Sequence, residues 1–216
     1  MRWYDIFAQL YDHSVEQVYR GYRQHVVESL QLRAGDSVLD LACGTGPNHP
    51  HLVRAVGPSG HVFGVDASRG MLRRARSRAQ RMGWTNVHLI ECPAQDLRVG
   101  HLTACAPKAN HLRGVISTLG LSVIPDWQEV IEHTFSLLAP GGTYVIFDIF
   151  TERWVPQTWV VSRLAQADMY RKTWRVLDGL SGAFQFTFLK GSPHIHGGTP
   201  FLAVGRKQPD GPASPL

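Results

Sequence analysis

The strongest constraint on the fold is an alternation of short apolar segments with amphipathic ones, which begins at Asp36. Apolar runs of five to eight residues are typical of buried strands, and apolar residues at helical spacing between them predict helices. The five runs are SVLDLA, HVFGVD, VHLIE, GVISTL and TYVIFDIF, and the predicted helices are about Pro50–Val56, Ser68–Met82 and Trp127–Leu138. Such alternation predicts an α/β, Rossmann-like, mostly parallel sheet with helices on both faces. AFQFTFLK and PFLAVGRK add a closing hairpin and bring the sheet to seven strands.

The other segments are predicted to decorate one domain over residues 1–207. Residues 1–33 should form an N-terminal helical cap, because Ser14 begins a capping box and apolar residues then recur at helical spacing. A further helix is predicted at about Gln157–Leu177, after the fifth strand, and the polar residues 98–114 are expected to form a surface loop. The last residues, 208–216, are rich in Pro, Ser and Gly and are predicted to be disordered.

Composition narrows the functional classes. A length of 216 residues with 44% apolar residues suits a single globular domain. Three scattered cysteines make no disulfide framework, which favours a reducing cytoplasm. The first residues lack the pattern of a signal peptide. No uncharged apolar run reaches the roughly 20 residues of a membrane span.

The net charge of +5 allows two interpretations. An anionic partner such as nucleic acid or an acidic lipid surface would be attracted to it. Much of the excess, however, lies in SRGMLRRARSRAQRMG, whose apolar residues form one helical stripe with the arginines outside it. No signature of an RNA-binding module accompanies the charge. We therefore interpret these arginines as a solvated helix face and expect no nucleic-acid partner.

The stretch VLDLACGTGPNHPHL predicts a ligand loop after the first strand. Gly44 and Gly46 would let the backbone turn tightly and approach a ligand closely, at the start of a helix whose amides face it. Asp40 lies near the strand end, and Asp66 ends the next strand at the spacing where an acid meets ribose hydroxyls. A third small residue, which a pyrophosphate would need, is absent, and no Gly-Lys-Ser/Thr of a P-loop follows.

These motifs resemble those of class I S-adenosylmethionine-dependent methyltransferases over about residues 4–207. VLDLACGTG is similar to their first motif, VFGVDASRGML to their second, and LLAPGGTYVIFDIF to their strand-five motif. YDIFAQLYD at the N-terminus and LSVIPDW after the fourth strand resemble the quinone- and phospholipid-methylating branch, including bacterial phosphatidylethanolamine and betaine-lipid N-methyltransferases.

The resemblance implies S-adenosyl-L-methionine as cofactor and a set of residues that contact it. Asp40 and the Gly44–Gly46 loop would hold the methionine part, Asp66 the ribose, and Ala94 the adenine through its backbone amide. The full set of implied contacts is Tyr11, Asp40, Ala42, Gly44, Gly46, Asn48, Asp66, Ala67, Met71, Ala94, Gln95 and Thr118. One position departs from the family, since Pro93 stands where an acid usually accepts from the adenine amino group; Gln95 or Asp96 could substitute.

The predicted chemistry is methylation of an amine, such as a phosphatidylethanolamine-like lipid headgroup or a small amine. An alkyl amine has a pKa of about 10.4 and must lose a proton first, so a Tyr or His could act as base. The candidates for catalysis are Tyr11, His49 and His196. Quinone-ring C-methylation, or methylation of another small molecule, is the alternative within the enzyme class. Lipid as substrate would place the protein at the inner membrane face, in peripheral contact with anionic lipid.

Two further hypotheses are weaker. Metal binding at His49 and His51, or at both HxH pairs, lacks an acid or Cys at ligand spacing, so no metal is expected. A relict protein that binds the cofactor or a nucleic acid without turnover would explain Pro93. The intact Asp40, glycine pair and Asp66 argue against that hypothesis.

Overall fold

The computed structural model describes residues 19–107, 111–153, 159, 163, 166–189 and 198–209. Seven strands form one sheet in the order β3-β2-β1-β4-β5-β7-β6. The strands are β1 Ser37–Leu41, β2 His61–Asp66, β3 Val87–Glu91, β4 Leu112–Thr118, β5 Leu138–Phe150, β6 Ala183–Phe188 and β7 Thr199–Arg206. The first five pair in parallel, and β7 pairs antiparallel with both β5 and β6. The predicted seven-stranded, mostly parallel sheet is confirmed.

Helices cover both faces of this sheet. They are α1 over residues 19–28, α2 His49–Val56, α3 Arg69–Arg81, α4 Val99–Cys105, α5 Trp127–Ser136 and α6 Thr173–Leu180. On one face, Tyr19 and Val26 of α1 share an apolar core with Val62 and Ile116 of the sheet. On the other face, side chains of α5 and α6 pack against β1, β4 and β5 in a second core. Both cores exclude water from the strands, as a parallel sheet requires.

The helix predicted at Gln157–Leu177 is wrong over residues 166–172, which are not helical. Gln166 has a φ of 54°, a left-handed conformation that interrupts a right-handed helix. Ala167 and Met169 are both buried, and their spacing of two is that of an extended segment. Helix α6 then starts only at Thr173 and continues to Leu180.

Residues 98–114, predicted as a surface loop, contain α4 and the start of β4 instead. The Nδ1 atom of His101 accepts a hydrogen bond from the Arg98 backbone N–H, which caps the helix start. Leu102 is the buried residue of this helix, so its seven residues carry too little apolar pattern to reveal it from the sequence.

Two sequence predictions lie outside the described residues. These are the N-terminal part of the cap, residues 1–18, and nearly all of the tail, residues 210–216. Within the described chain, no helix has the length and apolar character needed to cross a bilayer.

Gly60 lies in the turn between α2 and β2, where a substitution tests how closely the chain packs. A Cβ atom at this position would lie 2.5 Å from the Asp36 carbonyl oxygen and 2.5 Å from the Val56 Cβ. We expect Gly60→Ala to lower the free energy of unfolding by about 1–3 kcal/mol, because backbone atoms would have to move. Urea denaturation followed by circular dichroism measures this.

Gly100→Ala is the matched control for that substitution. Gly100 lies in α4, and no atom lies within 4 Å of its virtual Cβ. Alanine should therefore leave the stability unchanged or raise it by up to about 1 kcal/mol through helix propensity. Equal effects of the two substitutions would contradict the close packing at Gly60.

Candidate cofactor-binding site

The loop between β1 and α2 turns sharply at the carboxyl edge of the sheet. Ala42, Gly44 and Gly46 all have positive φ, at 53°, 57° and 75°. Residues with a side chain rarely adopt this conformation. The two glycines adopt it without strain, whereas Ala42 adopts it at a cost. Nothing lies within 4 Å of a virtual Cβ at Gly44, so its outer side is open to a ligand.

Asn48 joins the first and fourth strands just behind this loop. Its Nδ2 donates to the Asp40 Oδ1 at 3.0 Å and to the Thr118 Oγ1 at 3.0 Å. Its Oδ1 accepts from the Arg23 Nη1 at 2.8 Å. One buried amide therefore ties together β1, β4 and α1, at the point where strand order reverses and ligands bind such sheets.

Arg23 is a site residue that the sequence analysis missed. It is 7% exposed, and its Nη1 also donates to the Thr118 Oγ1 at 3.4 Å. The available signal was its spacing, since it lies four residues after Tyr19 and three before Val26 on the buried stripe of α1. A charge on the buried stripe of a helix needs a partner, and Asn48 is one.

Asp40 carries a buried carboxylate oxygen that could accept a hydrogen bond from a ligand. The residue is fully buried, and its Oδ2 has no hydrogen-bond partner among the described residues. Burial raises the pKa of Asp40 to about 7, although the hydrogen bond from Asn48 and the charge of Arg23 lower it and Asp66 raises it further. An ammonium group placed here would satisfy Oδ2 and stabilise the ionised form.

His49 lies beneath the loop. Its ring occupies the space that a Cβ would take at Gly46, 2.3 Å from its Nδ1, and at Gly64 of β2, 2.9 Å from its Nε2. The Nε2 is 3.5 Å from the Asp40 Oδ2. Burial, with a smaller contribution from Arg78, lowers the pKa of His49 to about 4, so the ring is neutral at pH 7. The catalytic assignment of His49 stays a prediction; what the geometry supports directly is packing under the loop.

No metal is predicted at His49 and His51, which lie at the start of α2, or at both HxH pairs together. His49 is buried while His51 is half-buried. Among the described residues, no group of three or more His, Cys, Asp or Glu side chains could hold a metal ion. His196 and Tyr11 lie outside these residues.

Asp66 connects the loop to the second strand. Its Oδ2 accepts from the Gly44 N–H at 2.8 Å and its Oδ1 from the Ser68 N–H at 2.8 Å. Burial raises its pKa, and the two backbone hydrogen bonds oppose that shift. The Ser68 Oγ in turn accepts from the Met71 N–H at 3.3 Å and caps α3. The carboxylate therefore fixes both the glycine loop and the half-buried start of α3.

The third strand contributes the turn that was predicted to meet an adenine. Residues Ala94–Asp96 form a single 3₁₀ turn directly after Pro93. The Cys92 N–H donates to the Asp66 carbonyl at 3.1 Å, which holds this turn beside the end of β2. Ala94 is buried while Gln95 and Asp96 are exposed. The structure thus places the predicted residues from 40 to 118 along one edge, at the carboxyl ends of β1 to β4.

Comparisons with known proteins agree with this arrangement. A family model described as a methyltransferase domain matches residues 32–183. A demethylmenaquinone methyltransferase of Staphylococcus carnosus is 33% identical over 135 residues, which is 62% of this chain and 52% of that protein. The enzyme of the same name from Oceanobacillus iheyensis is 29% identical over 132 residues, 61% of this chain and 52% of that one. The chain thus spans about half the length of these curated relatives.

Solved structures share the fold at low sequence identity. Haemonchus contortus phosphoethanolamine N-methyltransferase 2, in complex with S-adenosyl-L-methionine, superposes with a TM-score of 0.70 at 13% identity. The match covers 90% of this chain and 56% of that one. An O-methyltransferase family protein from Burkholderia thailandensis gives a TM-score of 0.71 at 18% identity, over 94% and 60% of the two chains.

Asp40→Asn should weaken binding of the cofactor and stabilise the protein without it. The pKa of Asp40 is raised from 3.8 to about 7, so the folded state loses stability as pH rises through this window, where the carboxyl is ionised in the unfolded chain but still protonated in the folded one. Relative to the variant, the wild type should lose up to about 1.4 kcal/mol per pH unit in that window and no more above it. Denaturant titrations from pH 5 to 8 and calorimetry with S-adenosylmethionine measure the two effects.

Asp178→Asn is the control for that experiment, because Asp178 is an exposed acid on α6. It should alter neither the pH dependence of stability nor cofactor affinity. A pH dependence in Asp40→Asn equal to that of the wild type would show that Asp40 is not the buried carboxyl that titrates.

Asp66→Ala should reduce affinity for S-adenosylmethionine by at least about tenfold. It removes the predicted ribose acceptor together with two charge-assisted hydrogen bonds, one from Gly44 of the loop and one from Ser68 before α3, each worth about 1.5–3 kcal/mol. Glu91→Ala is the control, since Glu91 ends the neighbouring strand β3 and is exposed. Calorimetry that finds wild-type affinity in Asp66→Ala would show the ribose assignment to be wrong.

Proposed function

The chain belongs to the methyltransferase domain family, and we propose that it transfers the methyl group of S-adenosylmethionine to a ring carbon of a reduced quinone. The two demethylmenaquinone methyltransferases named above support this acceptor, because they are similar to this chain over 132 and 135 residues. The observation that carries the proposal is a cluster of aromatic rings at the edge of the sheet that bears the cofactor loop.

The described residues fit the proposed cofactor. An unpartnered buried carboxylate oxygen on Asp40 suits the ammonium of the methionine part, and the open side of Gly44 leaves room for it. The Thr45 Oγ1 is a second buried polar atom without a partner in the described chain. Asp66 would accept from the ribose, and Ala67, Met71, Ala94 and Gln95 would lie beside the adenine. When bound, the cofactor supplies a methyl group on a positively charged sulfur.

The aromatic cluster consists of Phe150, Trp174, Phe186, Phe188 and Phe201. Trp174 of α6 lies at its centre, with ring centroids 4.8 Å from Phe150, 4.8 Å from Phe186 and 4.9 Å from Phe201. Phe188 is 40% exposed, so the cluster reaches the surface. The Lys172 Nζ lies 5.5 Å from the centre of the Phe150 ring. Offset or edge-to-face contacts of this kind would suit a flat aromatic acceptor.

Acceptor chemistry supports the same class. A quinol ring carbon becomes nucleophilic when a ring hydroxyl ionises, and a phenol has a pKa of about 10. Transfer then needs alignment and exclusion of water more than a strong base. An aromatic wall at the same edge of the sheet would contribute to both. Tyr11 and His196 remain predicted as groups that could accept the proton.

An amine-bearing lipid headgroup or small amine is the second candidate acceptor. It is favoured by the segment Leu121–Trp127, whose sequence resembles lipid N-methyltransferases. Either lipid-like acceptor would bring a cytoplasmic protein of net charge +5 into peripheral contact with an anionic inner membrane face.

A radiolabelled-methyl assay tests the proposal. The full chain is incubated with labelled S-adenosylmethionine and either a short-chain demethylmenaquinol or phosphatidylethanolamine in detergent, and the extracted lipid is counted. We expect label in the quinol, and loss of that label with the oxidised quinone, whose ring is electron-poor. Label in phosphatidylethanolamine alone would identify the amine as acceptor, and label in neither would overturn both candidates.

A further inference from the structure

We propose that Asp148 and Arg171 are positioning residues for the methyl acceptor, because together they hold the loop after β4 against the cofactor loop. This inference rests on the proposed methyltransferase function. The β4 loop comprises residues 119–126, between the end of β4 and the start of α5. It follows Thr118, which belongs to the Asn48 network, and so it lies at the edge where the acceptor must meet the cofactor.

The β4 loop packs directly on the cofactor loop. A Cβ at Gly120 would lie 2.6 Å from the Ala42 Cβ and 3.1 Å from the Ser117 Oγ. The Leu119 N–H donates to the Phe147 carbonyl at 2.8 Å, which extends the pairing of β4 with β5. Because Gly120 and Ala42 are in contact, a shift of the β4 loop changes the space beside the cofactor loop.

Asp148 holds the β4 loop from the side of β5. It is 3% exposed, and its Oδ2 accepts from the Ser122 N–H at 3.2 Å. Its Oδ1 accepts from the Ile149 N–H at 2.8 Å. Both oxygens are thus committed to backbone amides, one of them in the β4 loop. Burying a carboxylate costs free energy, and this cost is consistent with a role of Asp148 in positioning the β4 loop.

The segment 166–171 holds the same loop from the opposite side. The Asp168 N–H donates to the Ser122 carbonyl at 2.8 Å. The Arg171 Nη1 donates to the carbonyls of Leu121, at 2.9 Å, and Ile124. Its Nε lies 3.3 Å from the Asp168 Oδ2. Arg171 therefore closes the turn of the β4 loop while a carboxylate of its own segment orients the guanidinium.

This segment is itself anchored to β5. The Thr151 N–H donates to the Met169 carbonyl at 3.0 Å, and Met169 is buried in the core beneath β5. Ser122 consequently makes two hydrogen bonds: its N–H donates to Asp148 of β5, and its carbonyl accepts from Asp168 of the segment 166–171. The β4 loop is clamped between β5 and the segment 166–171, which fixes its distance from the cofactor loop.

Arg171→Lys and Asp148→Asn break this clamp with little change in volume. A lysine ammonium cannot reproduce the planar fork that reaches two carbonyls and Asp168 together. An asparagine presents an N–H₂ group to one of the two amides, which leaves two donors facing each other. The matched control is Arg175→Lys, since Arg175 is exposed on α6 and has the same charge and length.

The experiment measures acceptor kinetics, cofactor affinity and hydrogen exchange in parallel. The acceptor is whichever of demethylmenaquinol and phosphatidylethanolamine the wild type methylates. We expect at least a fivefold rise in acceptor KM for Arg171→Lys and Asp148→Asn, with the calorimetric Kd for S-adenosylmethionine unchanged within twofold. Amides of residues 119–126 should exchange faster in both variants, and Arg175→Lys should match the wild type.

The outcomes separate this inference from the proposed function. An unchanged acceptor KM in both variants, with a wild type that turns over, overturns the positioning role and leaves the function intact. A wild type that methylates neither acceptor overturns the function, and the exchange of residues 119–126 then decides the clamp alone. Unchanged exchange in Arg171→Lys overturns the clamp in either case, and a large loss of cofactor affinity would show that these residues support the cofactor instead.

Discussion

The site depends on one buried amide. Asn48 donates to Asp40 at the end of β1 and to Thr118 at the end of β4, and it accepts from Arg23 of α1. Strand order reverses between β1 and β4, so their ends diverge and leave the crevice in which such sheets bind ligands. The amide links the two strand ends and holds the Asp40 carboxylate and the N-terminal helix in the same set of contacts.

Charge in the crevice follows from burial. Asp40 and His49 are both fully buried and lie 3.5 Å apart, yet burial acts in opposite directions on them. It raises the pKa of the acid to about 7 and lowers that of the imidazole to about 4, so each is driven toward its neutral form. A bound cation would reverse this for Asp40. The buried carboxyl of Asp40 therefore destabilises the protein without a ligand, and a bound cation would remove that destabilisation. Binding sites commonly lower stability in this way.

The proposed positioning of the acceptor depends on a second set of contacts. There the β4 loop is held by Asp148 and Arg171, which come from β5 and from the segment before α6. The aromatic cluster lies close to these residues in the chain: Phe150 ends β5, and Trp174 lies in α6, directly after the segment that contains Arg171. In this proposal, cofactor and acceptor are held by different elements, which meet at Gly120 and Ala42. Changes in the contacts around the β4 loop could therefore alter the substrate class while the Asn48 contacts at the cofactor loop stay the same.

Residue order alone predicts the sheet, its parallel strands and the glycine loop, because strand burial and tight turns demand local residue types that can be read along the chain. Asp40, Gly44, Gly46 and Asp66 were predicted from that order, and Asn48 from the family resemblance. The roles of Arg23, Asp148 and Arg171 depend on tertiary contacts, since the partners that define these roles lie 25 or more positions away in the chain. Tertiary contacts also interrupt the predicted helix over residues 166–172, where Asp168 and Arg171 donate hydrogen bonds to the β4 loop. Local pattern reports which face of an element is buried, but the identity of a polar partner depends on which distant element packs there.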